Sequence, residues 1–222
     1  MSTEATRASP VLGRLQALGA RFVEVNAMAV AASIDEADAA RAGIVGIADL
    51  SCLRKTGFKG SKSADWAREQ GIALPPVNGW AQAGDNSLVV RLGDSEFFIE
   101  DSPQTALCAR VIPALKHCAE GVYPVHRNDA GFALVGDRVN DLMVETCSFE
   151  FRKVGGGNAV MTTMAGVTVL VIRRDVDARL CYRIWCDPTM AAYLWDTLNE
   201  IALDLGGGPV GSDIVLAASP PA

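Results

Sequence analysis

The alternation of hydrophobic and polar positions predicts that one structural unit occurs twice along the chain. In the first copy, residues 53–60 are typical of a strand that runs into a glycine turn, and residues 61–70 of a helix. In the second copy, residues 131–136 supply the strand and turn, and residues 137–146 the helix. Each copy is followed by two further strands and a helix. Two similar halves of this kind usually share one core and place ligands or partners at the seam between them.

Local signals refine the expected boundaries of these elements. Ser33 with Glu36 three residues later is the pattern of a helix N-cap, so a helix is expected from Ser33 to near Gly43. Gly57 and Gly60 are expected to bracket the tight turn of the first copy, because glycine adopts the backbone conformations that tight turns need.

The remaining elements follow from alternation and from turn residues. Asp187 and Pro188 are a cap and a first-turn proline for a long last helix, which has apolar residues at helical spacing on one face. Residues 74–84 are predicted to be a loop, because they are rich in proline, glycine and asparagine, and Trp80 lies within them. The other strands and helices are expected over residues 44–50, 87–91, 96–100, 103–117, 160–164, 167–173, 180–186 and 188–205.

The mixture of hairpins and crossovers indicates an α+β protein built from two ferredoxin-like βαββα subdomains. The predicted domain organisation is an N-terminal segment over residues 1–32 that is partly disordered, a first α+β subdomain over 33–120, a second over 121–206, and a mobile C-terminal tail over 207–222.

Composition and charge exclude several classes of function. The 222-residue chain has a net charge of −6 and no cluster of lysine or arginine, so nucleic acid is not an expected partner. It contains no apolar run of the roughly 18 to 20 residues that a membrane span needs. The first residues lack the basic and apolar regions of a signal peptide, so we expect a cytoplasmic protein with no membrane partner.

Few residues offer catalytic or metal-binding chemistry. The six cysteines lie mostly in apolar or strand-like stretches and are expected to be buried, reduced thiols. Cys181 and Cys186 point to opposite faces of one strand, and the two histidines, His117 and His126, have no nucleophile motif beside them, so neither a metal site nor a catalytic residue is predicted. Trp80, in its predicted loop, is the best candidate for an exposed recognition residue.

Four segments together resemble one protein family. They are a helix and strand over residues 36–43 and 46–51, the Phe58-Lys59-Gly60 turn, residues 147–151 with 159–167 and Arg173, and residues 182–185 with 190–198. Their order and spacing, over about residues 33 to 205, resemble the aminomethyltransferase-like folate-binding superfamily, which includes the glycine-cleavage T-protein. Within it, the sequence is most similar to the gamma subunits of heterotetrameric sarcosine oxidases.

The resemblance implies the aminomethyltransferase folate-binding fold without its C-terminal barrel domain. It also implies a tetrahydrofolate site at the subdomain seam, for which the candidate residues are Trp80, Asp85, Asn86 and Arg173. The T-protein has a carboxylate just before the strand that matches residues 88–91, whereas this chain has Asn86 and then a serine there, with Asp85 one step earlier. Because an amide does not take a proton as a carboxylate does, no catalytic residue is assigned.

The leading hypothesis is therefore a non-catalytic accessory subunit of a complex that oxidatively demethylates a small N-methyl amine and passes the one-carbon unit to tetrahydrofolate. Its partners would be larger amine oxidase, dehydrogenase or monooxygenase subunits in a hetero-oligomer, and a partner would carry the flavin or other redox centre. The alternative is a compact tetrahydrofolate-dependent aminomethyltransferase-like enzyme or a formaldehyde-capturing folate-binding subunit. An assembly factor for iron–sulfur proteins is a third alternative, although the Lys-Gly-Cys-Tyr type of motif of that branch does not occur here.

Overall fold

The computed structural model describes residues 7–83, 86–153 and 155–216 of the chain. These residues divide into two compact units. Unit 1 contains residues 7–52, 129–153 and 161–216, and unit 2 contains residues 53–83, 86–128 and 155–160.

Unit 1 is built on the larger sheet, which has six strands within the described residues. In sheet order they are β10 (Ala159–Met164), β11 (Val167–Arg173), β12 (Cys181–Cys186), β9 (Ala130–Val135), β3 (Gly46–Asp49) and β13 (Gly208–Pro209). Neighbours from β11 to β3 pair in antiparallel fashion, and β13 pairs with β3 in parallel. Every residue of β9 and β12 is buried, which explains why both strands are nearly continuous apolar runs.

The helices and the N-terminal hairpin of unit 1 pack around this sheet. They are α1 (Leu12–Ala17), β1 (Arg21–Val25), β2 (Met28–Ser33), α2 (Asp38–Ile44), α5 (Val139–Thr146), a 3-10 turn (Phe151–Lys153), α6 (Pro188–Asp204) and α7 (Asp213–Leu216). Helix α6 begins as the sequence predicts, because the Asp187 carboxylate accepts a hydrogen bond from the Thr189 amide at 2.8 Å and Pro188 occupies the first turn.

Unit 2 is built on the smaller sheet, which has five strands within the described residues. In sheet order they are β5 (Gly79–Gln82), β6 (Leu88–Arg91), β7 (Glu96–Glu100), β4 (Lys55–Lys59) and β8 (Tyr123–Val125), all paired in antiparallel fashion. Its helices are α3 (Ser63–Glu69) and α4 (Leu107–Leu115). Three aromatic rings anchor the core, since Phe58 stacks on Phe97 with centroids 5.0 Å apart and meets Trp66 edge-on at 4.9 Å.

The predicted duplication is present in the topology of both units. The order strand, helix, three strands, helix occurs as β4-α3-β5-β6-β7-α4 and again as β9-α5-β10-β11-β12-α6, and the sheet order of the equivalent strands is the same. The α+β fold class is confirmed. Each copy has one strand more than the βαββα repeat predicted from the sequence. In the second copy this strand is β10, which agrees with the strand expected over residues 160–164, whereas in the first copy it is β5, which lies in the segment predicted to be a loop.

Equivalent glycines show how closely the two copies match. Gly60 follows β4 with a φ of 129°, and Gly136 follows β9 with a φ of 133°. An added Cβ would lie 2.2 Å from the Gly121 carbonyl oxygen in the first case and 2.4 Å from the Ile44 carbonyl oxygen in the second. The same two oxygens accept hydrogen bonds from the amides two residues after each glycine, at 3.1 and 2.8 Å. Both turns therefore need glycine for the same steric reason.

The observed units differ from the predicted domain boundaries of 33–120 and 121–206. Strand β3 precedes β4 in the chain but pairs with β9, and β8 precedes β9 but pairs with β4. Strand β3, which directly precedes the first copy in the chain, thus belongs to the sheet of the second copy. Strand β8, which directly precedes the second copy, belongs to the sheet of the first. A single cut in the sequence does not describe this exchange, which is why the observed units differ from the predicted boundaries.

Two local predictions also need correction. Ser33 belongs to strand β2 and is no helix cap; α2 begins at Asp38, where the Asp38 carboxylate accepts a hydrogen bond from the Ile34 amide at 2.9 Å. Gly57 lies inside β4 rather than in the turn.

The predicted terminal segments are largely ordered where the structure describes them. Residues 207–216 form β13 and α7, and the Val210 amide donates to the Ile47 carbonyl oxygen at 2.9 Å, so these residues are no mobile tail. Residues 7–32 likewise form α1 and most of the β1–β2 hairpin. The parts of these two predictions that concern residues 1–6 and 217–222 lie outside the described residues. No helix in the described ranges has both the length and the apolar character that crossing a bilayer requires.

Candidate functional site

Trp80, one of the predicted folate residues, lies in strand β5 and is half-buried. Its indole N–H donates to the Gly156 carbonyl oxygen at 2.6 Å, and its backbone amide donates to the Gly157 carbonyl oxygen at 2.9 Å. The prediction of a loop position was therefore wrong. The side chain fastens the glycine-rich segment before β10 to the outer edge of β5.

Asn86 lies in the turn between β5 and β6, with a φ of 71°. Its side-chain oxygen accepts a hydrogen bond from the Gln82 amide group, and its backbone amide donates to the Ala83 carbonyl oxygen at 2.9 Å. Both groups thus serve the turn. Asp85, the neighbouring candidate, lies outside the described residues.

Arg173, the fourth candidate, lies at the end of β11 in unit 1. Its guanidinium Nη2 is 2.7 Å from Asp175 Oδ2, and its Nε donates to the other carboxylate oxygen at 2.9 Å. This two-point contact lowers the pKa of Asp175 and raises the pKa of Arg173. In the other copy, Arg91 occupies the equivalent strand end and donates to the Gly93 and Asp94 carbonyl oxygens, both at 3.1 Å. An arginine that supports the hairpin turn is thus a feature of both copies.

A buried polar cluster joins β6 and β7 to the start of α4 in unit 2. Ser87 is fully buried, with its hydroxyl 3.2 Å from Asp101 Oδ1 and 2.9 Å from Thr105 Oγ1. The same Asp101 oxygen accepts a hydrogen bond from the Cys108 amide at 3.0 Å. Burial raises the pKa of the Cys108 thiol far above its ordinary value, so this cysteine is no nucleophile at neutral pH. The cluster is a structural element of unit 2.

Two further buried cysteines and the potential metal ligands among the described residues also show no reactive site. Burial raises the pKa values of Cys181 and Cys186 to about 12, which keeps both thiols protonated. Within the described residues, no group of histidine, cysteine and acidic side chains has the arrangement of a metal site.

Unit 2 contains a cavity of about 400 Å³ that the sequence analysis did not anticipate. It lies between the second half of α4 and the pair of strands β4 and β8. The lining residues are Lys55, Thr56, Ile112, Leu115, Lys116, Pro124, Val125, His126, Arg127 and Asn128. Four of them are basic or imidazole side chains, and none is acidic. A volume of this size falls in the range of small-molecule sites.

Two of the cationic side chains in the cavity are held by carboxylates outside its lining. Lys55 Nζ lies 3.5 Å from Glu100 Oε2, and the two side chains are only 2% and 0% exposed. Arg127 Nη2 lies 2.6 Å from Glu96 Oε1. These contacts fix the position of both cations at the cavity wall.

Gly57 makes the position of Arg127 sterically accessible. A Cβ at Gly57 would lie 3.2 Å from Arg127 Nε and 2.8 Å from the Phe97 carbonyl oxygen. The guanidinium passes over β4 at this point, with its carbon 5.7 Å from the centre of the Phe98 ring. The glycine that the sequence assigned to a turn is thus required by packing inside the strand.

The residues of the cavity come from three segments that are up to about 70 positions apart in the chain, which is why sequence reasoning missed them. The only local signal was the run from His126 to Asn128 directly after Pro124 and Val125. It contains a cation and an imidazole next to an apolar strand.

Comparison with known proteins shows that this chain shares its fold with solved structures. No protein-family model and no curated protein sequence matches the chain. Among solved structures, the glycine cleavage system aminomethyltransferase T of Bartonella henselae superimposes with a TM-score of 0.76 at 13% identity, over 93% of this chain and 60% of that one. One chain of the heterotetrameric sarcosine oxidase of Corynebacterium sp. U-96 superimposes with a TM-score of 0.66 at 18% identity, over 91% of this chain and 97% of that one.

These matches confirm the predicted aminomethyltransferase-like fold. This chain spans about 60% of the length of aminomethyltransferase T. It covers nearly all of the sarcosine oxidase chain. Identities this low carry the fold alone, so the role of Trp80, Asp85, Asn86 and Arg173 as a folate site stays a prediction.

Proposed function

We propose that the chain is an accessory subunit of a multi-subunit complex that oxidatively demethylates a small N-methyl amine and passes the one-carbon unit to tetrahydrofolate. The observation that carries the proposal is the match with a chain of a heterotetrameric sarcosine oxidase over 91% of this chain and 97% of that one. In the proposed complex, larger oxidase, dehydrogenase or monooxygenase subunits bind this chain, and one of them carries a flavin or another redox centre.

The chemistry of the candidate residues supports a non-catalytic role. The Arg173 guanidinium is paired with Asp175, the Asn86 amide is used within its own turn, and the Trp80 indole N–H is bonded to a backbone carbonyl. A general acid or base must reach the proton that it transfers, and none of these three groups is a carboxylate, imidazole or amine that would do so. The described free cysteines are compatible with a reducing compartment, and we place the complex in the cytoplasm.

Affinity purification from the native host tests the proposal. A tagged copy of the chain is expressed at its natural level, and the proteins that remain bound after gel filtration are identified by mass spectrometry. We expect a larger flavin-dependent or other redox subunit in the same peak, together with oxidation of an N-methyl amine such as sarcosine. The tag expressed alone is the control. A chain that elutes as a monomer without such a subunit contradicts the proposal.

The alternative, a compact tetrahydrofolate-dependent transferase or a folate-binding subunit that captures formaldehyde, is favoured by one observation. The match with aminomethyltransferase T has the higher TM-score, 0.76, and covers 93% of this chain. In this alternative, Trp80, Asp85, Asn86 and Arg173 contact the folate. The chain would then hold the ligand without help from a partner.

Calorimetry of the isolated chain with tetrahydrofolate separates the two functions. Tight binding that Trp80→Ala weakens at least tenfold supports the alternative, whereas the absence of binding by a folded chain supports the accessory role. Tyr123→Ala is the matched control, because it removes an aromatic ring of the same unit that is 56% exposed and is none of the predicted folate residues.

A further inference from the structure

We propose that the cavity in unit 2 binds a small organic carboxylate with an apolar body. The cavity is the one between α4, β4 and β8, with a volume of about 400 Å³. Its apolar walls would bury the body of the ligand, and its cationic rim would hold the carboxylate. This site is independent of the proposed folate residues and of the proposed role as a subunit.

The apolar part of the site comes from two elements. Ile112 and Leu115 project from α4, one turn apart, and Pro124 and Val125 project from β8. The Ile112 side chain is 40% exposed. Covering this surface with an apolar ligand would remove it from water, which stabilises a complex.

The charge of the lining selects an anion. Lys55, Lys116 and Arg127 line the cavity, and no acidic side chain does. Glu100 and Glu96 offset two of these charges from outside the lining. Lys116 forms no ion pair with any residue that the structure describes, and it is exposed at the cavity mouth. One positive charge is therefore left for the ligand, in a chain whose net charge is −6.

The position of α4 favours a monoanion over a phosphate group. The cavity borders the C-terminal half of the helix, where Lys116 is the C-cap residue. Helix C-termini carry a partial negative charge that repels anions, whereas phosphate sites usually use the N–H groups of a helix N-terminus. A single carboxylate on Lys116, with His126 and Asn128 as further polar contacts at the exposed rim, fits this electrostatic pattern.

An NMR titration tests the proposal with indole-3-acetate and its neutral analogue indole-3-acetamide. The two probes share an apolar ring of suitable size and differ in the carboxylate. We expect indole-3-acetate to cause saturable shifts of amide signals confined to the cavity, including those of Lys116, Val125 and His126. We expect indole-3-acetamide to bind at least tenfold more weakly. Equal binding of the two probes, or shifts that do not saturate or lie elsewhere, would overturn the proposal.

Three variants locate the ligand within the cavity. Lys116→Gln removes the unbalanced charge from an exposed position and is expected to weaken binding of indole-3-acetate by about tenfold. Ile112→Glu places a carboxylate in the wall and is expected to abolish binding. Lys153→Gln, an exposed lysine of unit 1, is the matched control and should bind as the unchanged protein does. Unchanged affinity in a folded Lys116→Gln protein contradicts the proposal even if Ile112→Glu fails to fold.

Discussion

Unit 1 and unit 2 are two copies of one framework that differ at the segment following β3 in unit 1 and β8 in unit 2. In unit 1, β3 runs into Asp49, Leu50 and Ser51, which are at most 5% exposed. In unit 2, the equivalent strand β8 runs into His126 and Asn128, which are exposed and border the cavity. The same backbone arrangement is therefore closed in one copy and accessible to ligands in the other.

The difference has a structural cause in the chain termini. In unit 1, β13 extends the larger sheet beyond β3, and the Ser9 hydroxyl donates to Asp49 Oδ2 at 2.5 Å. Asp49 also accepts from the Ser51 hydroxyl at 2.6 Å. In unit 2, β8 is the edge strand of the smaller sheet as described. A duplicated framework thus uses added segments to close one copy, while the other copy keeps a space beside its edge strand.

The largest loss of stability is expected at the two equivalent glycine turns that the copies share. Gly60→Ala and Gly136→Ala each place a Cβ within 2.4 Å of a backbone oxygen at a φ near 130°, so both should reduce the free energy of unfolding by roughly 4 kcal/mol or prevent folding. Urea unfolding followed by circular dichroism measures this.

Gly13→Ala is the matched control for these two substitutions. Gly13 lies in helix α1 with no atom within 4 Å of an added Cβ, so alanine should stabilise the protein by up to about 1 kcal/mol. If Gly60→Ala or Gly136→Ala unfolds at the same urea concentration as Gly13→Ala, the shared steric constraint does not exist.

The next largest loss of stability is expected in the buried segment after β3, and a much smaller one in the exposed segment after β8. Asp49→Ala leaves two serine hydroxyls and the Ser51 amide without their carboxylate acceptor in a buried site, which should cost about 3 kcal/mol of unfolding free energy. His126→Ala changes an exposed side chain and should cost no more than about 0.5 kcal/mol. Equal losses in urea unfolding experiments would remove the distinction between the two units.

Trp80→Phe tests the structural role assigned to the indole. The substitution keeps an aromatic ring in β5 but loses the donor to the Gly156 carbonyl oxygen, so a loss of about 1 kcal/mol is expected. Faster amide exchange in residues 155–159 should accompany it. A protein with unchanged exchange in that segment would show that the hydrogen bond does not hold it.

The smallest loss of stability is expected on replacing Arg173, and its pH dependence distinguishes Arg173 from Arg91. Arg173 lowers the pKa of Asp175, so the stability from this pair is fully present above the unfolded pKa of about 3.9 and is lost as the pH falls through the lower folded value. Because both side chains are more than a third exposed, Arg173→Gln should cost less than about 1 kcal/mol at pH 7.

Carbon-detected NMR titration of Asp175 measures the linkage between these two groups. In Arg173→Gln the Asp175 pKa should rise toward its ordinary value. In Arg91→Gln the Asp175 pKa should not change, since Arg91 donates to the Gly93 and Asp94 carbonyl oxygens and does not contribute to the shift of Asp175. A pKa of Asp175 that stays the same in Arg173→Gln contradicts the assigned cause.

The sequence predicted the parts of this fold that local signals specify. The glycines after β4 and β9, the cap of α6 and the bounds of β11 are recognisable from neighbouring residues. The mixture of hairpins and crossovers indicated the α+β class, and the family resemblance indicated the aminomethyltransferase-like fold. Signals that were equally local failed where tertiary contacts prevailed: Ser33 continues a hairpin strand, and Gly57 lies inside β4, where glycine makes room for Arg127. The cavity was not predictable, since no periodicity links β4, α4 and β8.

Amide hydrogen exchange in the unliganded protein tests the central claim most directly, namely that the two equivalent segments are closed in unit 1 and open in unit 2. The amides of Leu50, bonded to the Gly131 carbonyl oxygen at 2.7 Å, and Ser51, bonded to Asp49 at 3.0 Å, should exchange near the rate of global unfolding. The amides of His126 and Asn128 should exchange on the order of 100-fold faster. Equal protection of the two segments would contradict the account.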